Sequence, residues 1–239
     1  MAGKLRSITK QIHWSLASKA LVLGAVWLLA SSRLVFFVVA LSIYFFPIFR
    51  PFEMIGPLLF TLILAVLLPQ TIWTALFLGS VFFLVLGIKD LVFVKRDSAY
   101  QMLAALLWLA ISSVFFLNIR TFEYPFASIL IGLLFFILVR NFLLYVLHAY
   151  GEGRSHLRRE VLVSGGIGAL VISELAWAYM FLPLIPLHQT ALLFFAGTII
   201  MEFLIQNARG KLGRTMIIAN TSVFVGFLVI ILLITQWTL

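Results

Sequence analysis

Eight Asp and Glu, seventeen Lys and Arg and four His are all the carboxylates, cations and imidazoles in 239 residues. Three of them, Arg140, Glu174 and Glu202, fall inside long apolar runs. A charge there is expensive and usually has a task. Thr198, Glu202 and Gln206 recur every four residues, so on a helix they form one polar stripe. Counted from the nearest end of each apolar run, Glu202 is roughly 6 Å deep, Asn220 roughly 8 Å and Arg140 roughly 10 Å, at about 1.5 Å of rise per residue. These depths predict one polar layer near the cytoplasmic face, with Arg140 paired to Glu202. The pair reads either as the wall of an inward-opening pocket or as a structural ion pair between helices. Arg140 reaching the lipid headgroups is the third reading.

Glu174 lies deeper, roughly 20 Å from that face and roughly 14 Å from the level of Glu202 by the same rise, so the two carboxylates do not form a pair. A lone carboxylate in hydrocarbon needs a proton, a cation or the reach of Arg140 to offset its charge. That makes Glu174 a candidate proton-relay or cation site, or a neutral group hydrogen-bonded to a neighbouring helix. On the same run Gly165, Ala169 and Ser173 form a ridge of small residues that lets another helix approach closely. Arg154, Arg158 and Arg159, with His156, make the stretch 151–160 a candidate headgroup or phosphate holder, or a plain topology-setting loop.

Several chemistries are excluded by what is missing. The chain has no cysteine, which removes disulfides, iron–sulfur clusters, thiol catalysis and cysteine zinc sites. The two aspartates, Asp90 and Asp97, cannot build an aspartate-rich magnesium–diphosphate site, and neither H-E-x-x-H nor a phosphate loop occurs. His148 belongs near the inner boundary and His188 near the outer one, so they cannot share a metal or haem; His13 with His148 is geometrically open. No metal and no cofactor are expected. The last apolar run has no Lys for a retinal Schiff base, and the Asn220-Thr221-Ser222 sequon within it should be silent.

The elements that must hold these residues follow from composition. Hydrophobic residues make up 64% of the chain and charged ones 10%, against about half and about a quarter in soluble domains. Lipid is therefore the expected solvent. Runs near 20 residues span a bilayer, and candidates fall at 14–31, 34–49, 54–69, 71–88, 99–117, 124–147, 161–182, 188–206 and 215–237. With the N-terminus inside, fourteen of the seventeen basic residues lie on the inner side, only Arg33 and Arg120 outside, and Arg140 within a helix. Retention of basic loops explains the charge of +9 without a nucleic-acid partner.

The expected fold is all-α: a polytopic transmembrane helical bundle of about nine spans, N-terminus inside and C-terminus outside. The count falls to eight if residues 20–46 form one helix rather than a hairpin at Ser31–Arg33. That single helix would leave Arg33 near the bilayer centre, which disfavours it. A cleaved signal peptide is disfavoured because the apolar run resumes at Leu34. The segments 34–49 and 54–69 are short and fit either tilted spans or a hairpin entering partway. One integral membrane domain is expected over 1–239, with a basic cytoplasmic segment at 1–13, in a plasma or inner membrane. The expected partners are membrane lipids, and other membrane subunits or a second copy. The functional expectation is a small transporter-like protein or a membrane-complex subunit without enzymatic chemistry. The alternative is an enzyme acting on a lipid headgroup at the cytoplasmic leaflet.

Overall fold

The architecture comes from a computed structural model that describes residues 14–30, 32–46, 54–90, 96–118, 124–150 and 154–235. Among these it is all-helical, with nine helices. They are α1 (Trp14–Leu29), α2 (Arg33–Phe45), α3 (Ile55–Leu67), α4 (Ile72–Lys89), α5 (Arg96–Asn118), α6 (Tyr124–Tyr150), α7 (Arg154–Met180), α8 (Pro186–Ala208) and α9 (Arg214–Ile234). Six of them, α4 to α9, are long and apolar enough to cross a membrane. This architecture is compatible with a membrane protein. The first three are shorter, at 16, 13 and 13 residues. A break between Leu29 and Arg33 replaces the single helix over 20–46, and Ser32 caps α2 by accepting from the Leu34 amide at 3.2 Å. The stretch read as a loop over 151–160 is helical from Arg154 onward. Two compact units divide the chain, residues 1–103 and 104–239.

In the first unit the buried faces recur at helical spacing. Leu16, Ala20, Leu23 and Trp27 turn inward from α1, and Phe36, Ala40 and Tyr44 from α2. Trp27 meets Phe36 edge-on with centroids 5.0 Å apart. Glycines let α1 and α4 approach closely: a Cβ on Gly24 would stand 3.2 Å from the Ala75 carbonyl oxygen, and one on Gly79 3.3 Å from that of Ala20.

Short helices leave terminal carbonyls where water is scarce, and each such group needs a donor. Neighbouring helices supply these donors. Gln70 Nε2 donates to the Trp27 and Ala30 carbonyls at the end of α1, at 2.7 and 3.2 Å. Arg33 donates to Val66 at the end of α3, at 2.6 Å. At the end of α2, Lys19 donates to Phe46 at 3.3 Å and the buried Lys89 to Tyr44. Thr71 and Thr74 close a capping box at the start of α4.

In the second unit α6 and α7 form a tight antiparallel hairpin. A Cβ on Gly132 would meet the Ala169 carbonyl at 2.8 Å and Ser173 Cβ at 3.0 Å. The turn to α8 uses the same device as the first unit: Gln189 Nε2 donates to Tyr179 and Leu182, at 2.9 and 3.2 Å. After α8, Gly210 adopts φ 64°. Lys211 then bonds back to Gln206, and Gly210 to Asn207, both at 2.9 Å. That left-handed C-cap suits glycine because it lacks a Cβ. Trp108 of α5 is wholly buried, donates to the Leu193 carbonyl at 3.3 Å and meets Phe135 edge-on at 4.8 Å.

Candidate functional site

The residues expected to share a polar layer occupy α6, α8 and α9. Thr198, Glu202 and Gln206 lie along one face of α8, and Gln206 Nε2 donates to Glu202 Oε1 at 2.7 Å. Thr198 turns its hydroxyl back to the Phe194 carbonyl at 2.7 Å. The carboxylate therefore finds its donor one turn along its own helix. Arg140 is exposed on α6, and no hydrogen bond or ion pair joins it to Glu202.

Asn220 is set by the α8–α9 register. Phe195 stacks on Phe227 with centroids 4.1 Å apart, and His188 meets Thr235 at 3.1 Å. Two turns from that stack, on the same face of each helix, come Glu202 and Asn220. They stand at one level, both half-buried, without a hydrogen bond between them.

Glu174 is exposed on α7. Ser173, beside it, donates to the Ser128 carbonyl of α6 at 2.9 Å, which fixes the antiparallel register. Arg140 is twelve residues beyond Ser128, or about 18 Å along the axis at 1.5 Å per residue. Its guanidinium and the Glu174 carboxylate therefore belong to different levels. On the α8 side, Gly168 faces Ile200 and Leu204, which places Glu202 about 9 Å along α7 from Glu174 by the same rise. The three charged groups do not converge.

The small-residue ridge faces α6. Gly165 fits beside the Phe136 ring, Ala169 against Gly132, and Ser173 against both Gly132 and Ser128. Arg159 is exposed in the second turn of α7. The side chains of Arg154, Arg158, His148 and His156, and the whole of His13, lie outside the described residues. Among the described residues no three His, Asp or Glu gather as metal ligands.

A groove of about 920 Å³ opens in the first unit between α1, α4 and the start of α5. Its wall is apolar, formed by residues such as Ala20, Gly24, Ala75, Gly79, Phe83 and Met102. Ser80 faces it, with its hydroxyl already donating to Leu76 at 2.9 Å. Among the described residues no carboxylate, cation or imidazole lines this space.

Sequence reasoning missed the polar residues that hold helix ends. Lys89 was assigned to an inner loop, yet its side chain is fully buried, 4.6 Å above the Tyr44 ring and 3.8 Å from Asp90. Gln70 and Gln189 carry no motif that marks them in the sequence. The available signal is a long polar side chain within a turn of the end of an apolar run, where a neighbouring helix leaves carbonyls without donors.

Among the described residues these geometries define a class, an all-helical architecture with six membrane-length apolar helices whose charged groups are dispersed. Comparison with protein-family models, curated proteins and solved structures finds no match to the chain.

Proposed function

We propose that the chain is a polytopic subunit of a membrane complex, with its N-terminus in the cytoplasm and its C-terminus outside. The carrying observation is that Glu174 and Arg140, the charges set deepest in the spanning helices, sit on exposed faces at different levels. A transport path or a catalytic centre gathers its polar groups around one cavity. Among the described residues the groove of the first unit is instead lined without a charged group. Exposed intramembrane charges are explained when further protein covers them. The exposure of α9 fits as well, since Ile231 alone is buried along that helix.

The orientation rests on the basic residues, which favour the cytoplasmic side. The alternating direction of α1 to α4 agrees: Lys19 and Lys89 gather at one end, and Arg33 and Gln70 at the other. Nine crossings require α1 to α3 to cross although they reach only about 20–24 Å at 1.5 Å per residue. Local thinning of the bilayer accommodates such helices at modest cost.

Two experiments test the reading. Native electrophoresis of mildly solubilised membranes should place the chain in an assembly larger than its own micelle; a solitary chain in its native membrane would refute the subunit role. Tags at the two termini should report opposite compartments, and tags on one side would refute nine crossings.

A further inference from the structure

The outward face of α7 has a regular seam. Val163, Ile167, Leu170 and Trp177 are between 47% and 62% exposed. With Glu174 they recur at alternating spacings of four and three residues, the repeat by which one helix lays side chains along another. Lipid tails suit the four apolar positions as well as a protein would. They do not suit the carboxylate, which is exposed between Leu170 and Trp177 in the series. Among the described residues no hydrogen bond or ion pair reaches Glu174.

Of the described bases, Arg159 is about 22 Å from Glu174 along α7 at 1.5 Å per residue, and Arg209, Lys211 and Arg214 follow Leu204, which lies beside Gly168 toward that same far end. Arg140 is about 18 Å away along the hairpin axis. His188 is engaged with Thr235, and Arg33, Lys19 and Lys89 hold helix-end carbonyls. A second copy inserted in the same orientation would bring its described bases, Arg140 included, to those same levels. No described base of this chain stands opposite Glu174, and a Lys or Arg on another protein would supply the charge.

We propose that this face of α7 docks a transmembrane helix of a different protein, which carries a Lys or Arg opposite Glu174. Glu174 lies six residues before Met180, about 9 Å from that end of the helix at 1.5 Å per residue. The partner's base accordingly sits in the third of its span nearest the α7–α8 turn. There it donates to the carboxylate, while the apolar positions on either side fix the helix register. The proposal rests on the subunit reading and names what recognises the partner.

The test uses the full chain in phosphatidylcholine vesicles. It carries a single fluorophore on a Lys211→Cys substitution, which is selective because the sequence has no other cysteine. The probes are two synthetic 20-residue Leu/Ala helices, one with a Lys six residues from an end and one with Leu there. Energy transfer should show the Lys helix binding roughly tenfold tighter, the scale of one polar contact between membrane helices. Glu174→Gln should bring the two probes to parity, whereas Arg140→Gln should keep the preference. Equal binding of the probes to the parent chain, or a preference that survives Glu174→Gln, overturns the proposal. Should Glu174→Gln fail to fold, Leu170→Trp crowds the same seam: lost binding supports the site and retained binding overturns it.

Transfer between two labelled copies that vanishes in Glu174→Gln would make the partner a second copy and overturn the proposal. A cross-link from Leu170→Cys to residues 1–103 of the same chain would overturn it as well. A large native assembly unchanged by Glu174→Gln leaves the subunit reading standing and removes this docking face. A solitary chain throughout removes the subunit reading itself.

Discussion

Replacing Gly197 with alanine should damage the second unit at its most crowded point. The new Cβ would land on Nε1, Cε2 and Cζ2 of the Trp108 indole. That ring has little freedom to move: it is fully buried, donates to Leu193 at 3.3 Å and packs edge-on against Phe135. Forcing a methyl into a filled core costs about 1–3 kcal/mol. Loss of the indole hydrogen bond adds about 1 kcal/mol, and the better helix propensity of alanine returns a similar amount. The net loss should be about 2 kcal/mol, within the range for overpacking. Trp108→Phe removes the atoms that clash, so the double variant should be less destabilised than the sum of the two single changes by at least about 1 kcal/mol, a typical coupling for touching residues. Reversible unfolding of the four proteins in mixed micelles measures this directly. Parent-like stability of Gly197→Ala, or strict additivity with Trp108→Phe, would refute the packing argument.

Gly132→Ala should loosen the α6–α7 hairpin by about 1–3 kcal/mol, since the Ala169 carbonyl and Ser173 Cβ leave no room; an unchanged melting curve would refute it. Lys89→Met should cost roughly 2 kcal/mol through the lost charged donor, and adding Asp90→Asn should recover part of it, because Asp90 then no longer lacks its cation; a melt in which the second change restores nothing counts against that role. Arg140→Gln and Glu202→Gln should combine additively within about 0.5 kcal/mol, as independent sites do, because Glu202 is held by Gln206; strong coupling in the double variant would restore the ion pair. Gly210→Val should destabilise by about 1 kcal/mol or more, because a side chain is strained in the left-handed region; native stability would show that the cap contributes little.

What the sequence made legible, and what it hid, divides along one physical line. Apolar run length is a local property, so α4 to α9 were all foreseen to within a few residues at most ends. The start of α7 is not, because Arg154 to Glu160 are polar apart from Leu157 while Arg and Glu are good helix formers. Hydropathy marks where lipid is tolerated, not where a helix begins. Depth along a run is likewise readable, and the α8–α9 register does place Glu202 and Asn220 at one level. Rotation about the axis is not readable from one run alone, which is why Arg140 was matched to a carboxylate that Gln206 already serves.

Polar residues near run ends are ambiguous in sequence for a related reason. Gln70, Lys89 and Gln189 sit at positions where a side chain ordinarily turns toward water. Whether it does so depends on what lies beside it. A helix of 13 residues cannot carry its last carbonyls out of a thick apolar layer, so a neighbour must bring the donor inward. Short helices and buried capping side chains are therefore one feature of the first unit rather than two.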